Sequence, residues 1–159
     1  MKKILPLILL ALASFGFISC GGWEDPVLDN SFVYIADGSG ATSAVVSNSS
    51  DSGKTTPLYV TLSTVKTSFD APVKVYYEAI PGNGLKENVD YKIADKSGSP
   101  IEFTDGDKVM PIRITWLTNP SFDPSKDNTL TIKLTDSNLA YLQMGSGSFK
   151  STFVFTKKD

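Results

Sequence analysis

From Phe32 onward, apolar and polar residues alternate with a period of two, and that period limits the chain to a narrow set of folds. Leu58, Val60 and Leu62 are interleaved with Tyr59 and Thr61, and Val73, Val75, Tyr77 and Ala79 with Lys74, Tyr76 and Glu78. Successive side chains of a strand point to opposite faces, so each run is apolar on one face and wettable on the other. Phe32-Val33-Tyr34-Ile35 opens the series. Met110, Ile112, Ile114 and Trp116 share one side of a later strand, Leu130, Ile132 and Leu134 one side of another, and Phe149, Phe153 and Phe155 one side of a last. Shorter candidates lie at 44–46, 91–94 and 101–103, and no helix is predicted anywhere after the first 30 residues. Turn formers separate the runs, at Asp37-Gly38-Ser39-Gly40, 48–53, Pro81-Gly82-Asn83-Gly84, 96–100, 105–107, 119–128 and 145–148. Seven or eight short strands spaced in this way predict an all-β fold: two antiparallel sheets packed face to face as an immunoglobulin-like sandwich. By parity Trp116 belongs to its core. Each Phe, Leu or Ile buried there contributes about 1.5–3 kcal/mol.

The first 30 residues have a different character. Lys2 and Lys3 precede a short apolar run from Ile4 to Ile18, which ends just before Cys20, the only cysteine. A basic start, a short apolar stretch and a small residue before a cut site are the layout of a secretory signal. The run is too short for a membrane span of about 20 apolar residues, and it contains Pro6. Ser19-Cys20 resembles the end of a bacterial lipoprotein signal, although Phe17 stands where such signals usually carry Leu. That resemblance implies removal of residues 1–19, a lipid on Cys20 and attachment to a membrane through it. Residues 20–30 then read as a tether, with turn formers and no periodicity, that reaches at most about 35 Å. Its acidic pair Glu24-Asp25 resembles the signal that sends some Bacteroidota lipoproteins to the cell surface, which implies an outer-membrane location facing outward, the alternative being retention on the periplasmic face. Residues 31–159 remain as a single domain, long enough to bury a core without staples.

Composition removes several classes of function. Loss of residues 1–19 takes two of the 15 basic side chains and none of the 17 acidic ones, leaving 13 against 17, a net charge of −4. A mildly acidic chain without a basic stripe is not a nucleic-acid binder. There is no histidine, and the one thiol is assigned to the lipid, so no Ser-His-Asp or Cys-His nucleophile can be assembled and the imidazole ligands of zinc are missing. Two carboxylates about 5–10 Å apart could hydrolyse a glycoside, but the acids fall mainly in turns and in the tether. Gly53-Lys54-Thr55 imitates the end of a phosphate loop, yet Asn48 occupies the place of the earlier glycine and no helix follows.

Residues 88–156 resemble the second half of a Calx-beta domain. The resemblance rests on Asn88-Val89-Asp90-Tyr91, on Ile101-Glu102-Phe103 followed by Asp105-Gly106-Asp107, on the alternating run from Met110 to Trp116, and on Leu130-Thr131-Ile132-Lys133-Leu134. The opening Phe32 to Ile35 and the run from Leu58 to Glu78 are similar to the early strands of small Bacteroidota lipoproteins linked with glycan uptake. In calcium-binding Calx-beta domains, acidic loops at one end hold the ion. Here the corresponding stretch is Leu117-Thr118-Asn119-Pro120, so only Asp123, Asp127 and Asn128 close behind it are left for a weak Ca2+ site, and no other cofactor is expected. Calcium takes about six to eight oxygen ligands. Turn formation and strand capping account for these residues better than calcium ligation does, and the same holds for Asp105 and Asp107. The candidate ligand-binding residues are therefore aromatics outside the core: Tyr59 and Tyr76, outward by parity, and Trp23 in the tether. The expected function is a lipid-anchored, non-catalytic binding or adhesion module, accessory to surface glycan or nutrient capture. The alternatives are a structural subunit of an outer-membrane complex and a carboxylate-dependent glycan-active enzyme.

Overall fold

The computed structural model describes residues 30–66, 68–94 and 99–159. It contains ten strands and, among the described residues, no helix. They are β1 (Phe32–Ala36), β2 (Ser43–Ser47), β3 (Thr55–Ser63), β4 (Val73–Pro81), β5 (Tyr91–Ile93), β6 (Ile101–Phe103), β7 (Val109–Trp116), β8 (Thr129–Ser137), β9 (Gln143–Met144) and β10 (Thr152–Lys158). Two five-stranded sheets form a sandwich, with orders β5-β7-β3-β1-β9 and β2-β10-β8-β4-β6.

The sheets are not purely antiparallel as the sequence predicts. β1 runs parallel to β9, and β2 parallel to β10. The cause is local: β1 and β2 are consecutive, but the turn at 37–42 carries the chain from the first sheet to the second, so each lies beside a late strand running the same way. Asp37 holds this turn by accepting from the Ser39 and Ala41 amides at 2.8 and 2.9 Å.

Alternation sets the core. Val33, Ile35, Leu58, Val60, Ile112, Ile114, Trp116, Leu130, Ile132, Phe153 and Phe155 are wholly enclosed between the sheets. Trp116 meets the edge of Phe155 with ring centroids 5.0 Å apart. Its Nε1 is buried without a hydrogen-bond partner, which marks the site as apolar packing. Phe149 departs from the sequence expectation. It lies outside β10 and is 46% exposed, because glycines at φ 79° and 58° (Gly145 and Gly147) fold residues 145–150 into a turn before the strand begins.

The loops gather at two ends. Segments 48–54, 82–90 and 117–128 meet the chain's C-terminus at one end, where Thr55 faces Thr115, Tyr91 faces Trp116 and Lys158 faces Ser47. The loops at 64–66, 68–72, 104–108 and 138–142 occupy the other. There the chain enters β1, with the Ser31 hydroxyl donating to Thr64 at 2.8 Å.

Candidate functional site: an aromatic sheet face and a buried polar cluster

Parity within β1 turns Val33 and Ile35 inward and leaves Phe32 and Tyr34 on the outer face of the first sheet. The 145–150 turn folds onto that face. The Gly145 amide donates to the Val33 carbonyl at 2.8 Å and the Ile35 amide to the Lys150 carbonyl at 2.9 Å. Phe149 is thereby placed beside both rings, 4.6 Å from Tyr34 and 5.4 Å from Phe32 between centroids, while those two are 6.0 Å apart. Tyr59 continues the row: its register partner is Ala36, and Thr61 opposes Tyr34. The Tyr59 ring lies against Gly38, which leaves it half-buried.

The rest of this face carries no acidic side chain on its strands. Outward positions of β1, β3, β5 and β7 are filled by Phe, Tyr, Thr, Pro, Ser, Ala and Val, with Lys92 and Arg113 toward the β5 edge and no carboxylate. The outer face of the second sheet is charged instead. Lys74 pairs with Glu102 at 3.1 Å, and Glu78 faces Lys133.

The sequence candidates separate accordingly. Tyr59 and Tyr76 are outward and half-buried, as parity indicates, but they lie on opposite faces of the sandwich and form no common site. Cys20 and Trp23 lie outside the described residues. Asp123, Asp127 and Asn128 share one loop, and each is engaged in hydrogen bonds within it. Asp123 accepts from the Ser125 hydroxyl and amide at 2.7 and 3.0 Å, and the hydroxyl above all draws its carboxyl below the usual value. Asp127 accepts from the Thr129 hydroxyl at 2.7 Å, and the Asn128 amide nitrogen is spent on the carbonyls of Asp123 and Lys126. Asp105 and Asp107 likewise accept from Phe69 and Thr104. Among the described residues no three His, Cys, Asp or Glu side chains are grouped to hold a metal ion.

One cluster has no counterpart among the sequence candidates. Lys157, on β10, points inward with Phe153 and Phe155 and is 1% exposed. Its Nζ donates to Asp90 Oδ1 at 3.0 Å and to the Leu117 carbonyl at 2.8 Å. Asp90, equally buried, also accepts from Asn119 Nδ2 at 3.0 Å and, through Oδ2, from the Lys86 amide at 2.9 Å. Asn48 clamps the Asn119 backbone from both sides, at 2.9 and 3.1 Å. Two buried charges are tolerated because each is paired and hydrogen-bonded. Burial also raises the neighbouring Tyr91 hydroxyl above its ordinary value.

No family model matches the chain, and no curated protein matches it significantly. Among solved structures, one described as CBD12 from CALX1.2 superposes with a TM-score of 0.53 at 14% identity, covering 80% of this chain and 44% of that one. The chain thus spans less than half of that solved chain, and at this identity the likeness concerns the fold alone. With its two five-stranded sheets, the protein is a Calx-beta-like, immunoglobulin-like β-sandwich.

Proposed function

We propose that this protein is a lipid-anchored, non-catalytic module that binds glycan chains on the aromatic face of its first sheet, as an accessory to glycan or nutrient capture at the bacterial cell surface. The observation that carries this reading is the Phe32, Tyr34 and Phe149 cluster, three rings within 6.0 Å of one another on an outer sheet face. Sugar rings present C–H faces that stack on aromatic rings, and the hydroxyl-bearing Tyr59 and Thr61 alongside suit an uncharged, hydroxylated ligand. Support for the anchor is in the sequence alone: Lys2-Lys3, the apolar run and Ser19-Cys20. Affinity electrophoresis through gels containing neutral polysaccharides tests the reading. Retardation by at least one polysaccharide is expected, reduced by Tyr34→Ala or Phe149→Ala and unchanged by Tyr76→Ala. Equal mobility in every gel, or equal retardation of all variants, would remove it.

One observation favours a second reading, a structural subunit of an outer-membrane complex. β2 is an uncharged edge strand, Ser43-Ala44-Val45-Val46-Ser47, with Val45 64% exposed. An unpaired edge can accept a strand from another protein. Recovery of one stoichiometric partner from solubilised membranes, lost on Val45→Lys, together with no polysaccharide retardation, would favour this role.

A further inference from the structure

The buried cluster at the loop end plays no part in the glycan reading, and its geometry suits a reaction between its own side chains. We propose that Lys157 and Asn119 become joined by an intramolecular amide bond, with Asp90 as proton carrier and ammonia as the product released. The nucleophile is Lys157 Nζ, on a side chain 0% exposed. The electrophile is the Asn119 carboxamide, whose Oδ1 accepts from the Ser121 amide at 2.9 Å. Asp90 Oδ1 connects the two. It is 3.0 Å from the attacking Lys157 nitrogen and 3.0 Å from Asn119 Nδ2, the nitrogen that must leave.

Each group has a defined task. A proton passes from Nζ to Asp90 Oδ1 along their 3.0 Å hydrogen bond, which gives a neutral amine and a neutral acid. The amine then attacks Asn119 Cγ. A Cγ–Nζ bond forms, and the carbonyl electron pair moves onto Oδ1, where the Ser121 N–H stabilises it. Asp90 gives a proton to Nδ2 and accepts one from Nζ, which is general acid–base catalysis by one carboxyl touching both nitrogens. The Cγ–Nδ2 bond breaks and ammonia departs. The step consumes no water, oxidant or cofactor.

The surroundings hold the reactants in register. The Lys86 amide fixes the second Asp90 oxygen, Asn48 pins the Asn119 backbone, and the Phe122 ring, centred 5.7 Å from Nζ, covers the amine. Asn119, and not Asp90, is assigned as the electrophile because Asp90 is the acid that contacts both nitrogens. The bond would tie β10 to the loop after β7 in a domain without cysteine, closing a long loop as a disulfide would.

Mass spectrometry of the purified full chain decides the matter. The expected result is a mass one ammonia below the otherwise identical uncross-linked form, together with a branched proteolytic peptide joining Lys157 to Asn119. Asn83-Gly84 can itself lose ammonia by cyclising, so the branched peptide is the deciding observation. Lys157→Met and Asp90→Asn should each give linear peptides only. Linear peptides from the unsubstituted protein, with a free Lys157 amine and intact Asn119, would overturn the proposal. So would a Lys157–Asp90 peptide lighter by one water, or a bond that still forms in Asp90→Asn.

Discussion

Removing the Asp90 carboxylate should destabilise the domain more than any exposed substitution, and removing Lys157 as well should restore part of the loss. In Asp90→Ala, Lys157 Nζ stays buried with the Leu117 carbonyl at 2.8 Å but without a counter-charge, while the Lys86 amide and Asn119 Nδ2 lose their acceptor. Breaking one side of a buried pair costs about 3–5 kcal/mol. Small domains are stable by only about 5–15 kcal/mol, so the loss is a large share of the total. At roughly 4 °C per kcal/mol for a domain of this size, the melting temperature should fall by about 12–20 °C relative to the ion-paired domain without a cross-link. Lys157→Met leaves Asp90 with two of its hydrogen bonds and should cost less. In the double variant a methionine of similar shape takes the buried place of Lys157 beside the Phe122 ring and no charge remains unpaired, so it should exceed Asp90→Ala in stability by about 1–3 kcal/mol. None of the three variants can retain a Lys157 cross-link assisted by Asp90, so comparing them is independent of the state of the unsubstituted protein. Urea denaturation followed by tryptophan fluorescence measures all three. A double variant no more stable than Asp90→Ala would refute the reasoning, since the penalty would then lie elsewhere than in an unpaired buried charge.

Gly82→Ala should cost about 1–3 kcal/mol by overpacking, because a methyl there would overlap the Asp127 carbonyl oxygen of the facing loop, a backbone atom unable to swing away; the urea midpoint measures it, and an unchanged midpoint contradicts the close approach. Asp37, Asp51, Asp107 and Asp123 are each held below the ordinary value of 3.8, chiefly by side-chain hydrogen bonds from Ser39, Lys54, Thr104 and Ser125. A carboxyl lowered in the folded state contributes stability that is present above its unfolded value and lost as pH falls through the folded one, so stability should decline below pH 4. Asp37→Asn with Asp107→Asn should flatten that decline in thermal melts; an equally steep decline contradicts the assignment. Tyr34→Ala and Phe149→Ala should each weaken glycan binding by roughly 2–10-fold, in line with the ~0.5–1.5 kcal/mol of an aromatic contact, while leaving the melting temperature within a few degrees; a far larger drop in melting temperature would make these rings structural.

The sandwich was legible because one face of nearly every strand is buried, which forces the period of two onto the sequence. Tyr77, Trp116 and Phe155 are enclosed where parity assigns them. Phe149 was misassigned because its spacing from Phe153 satisfies the same parity, whereas the glycines at 145 and 147 turn the chain before alternation can act. The aromatic face was half visible. Phe32 and Tyr34 alternate with Val33 and Ile35, but no local pattern says that a turn over 100 residues away supplies the third ring. The same limit hid that Tyr59 and Tyr76 point away from each other, since sheet membership is a long-range property. For the buried pair a signal existed. Lys157 shares parity with Phe153 and Phe155, and a lysine on a core face requires a partner. Asp90, in the Asp-Tyr pair that opens β5, is that partner.

Binding to the outer aromatic face of the first sheet can be mapped residue by residue through NMR titration of the isotope-labelled protein with a neutral oligosaccharide that retards it in gels. Saturable shift changes concentrated on Phe32, Tyr34, Tyr59 and Phe149 are expected. Changes concentrated around Tyr76 and the Lys74–Glu102 pair on the opposite sheet would contradict binding at this face.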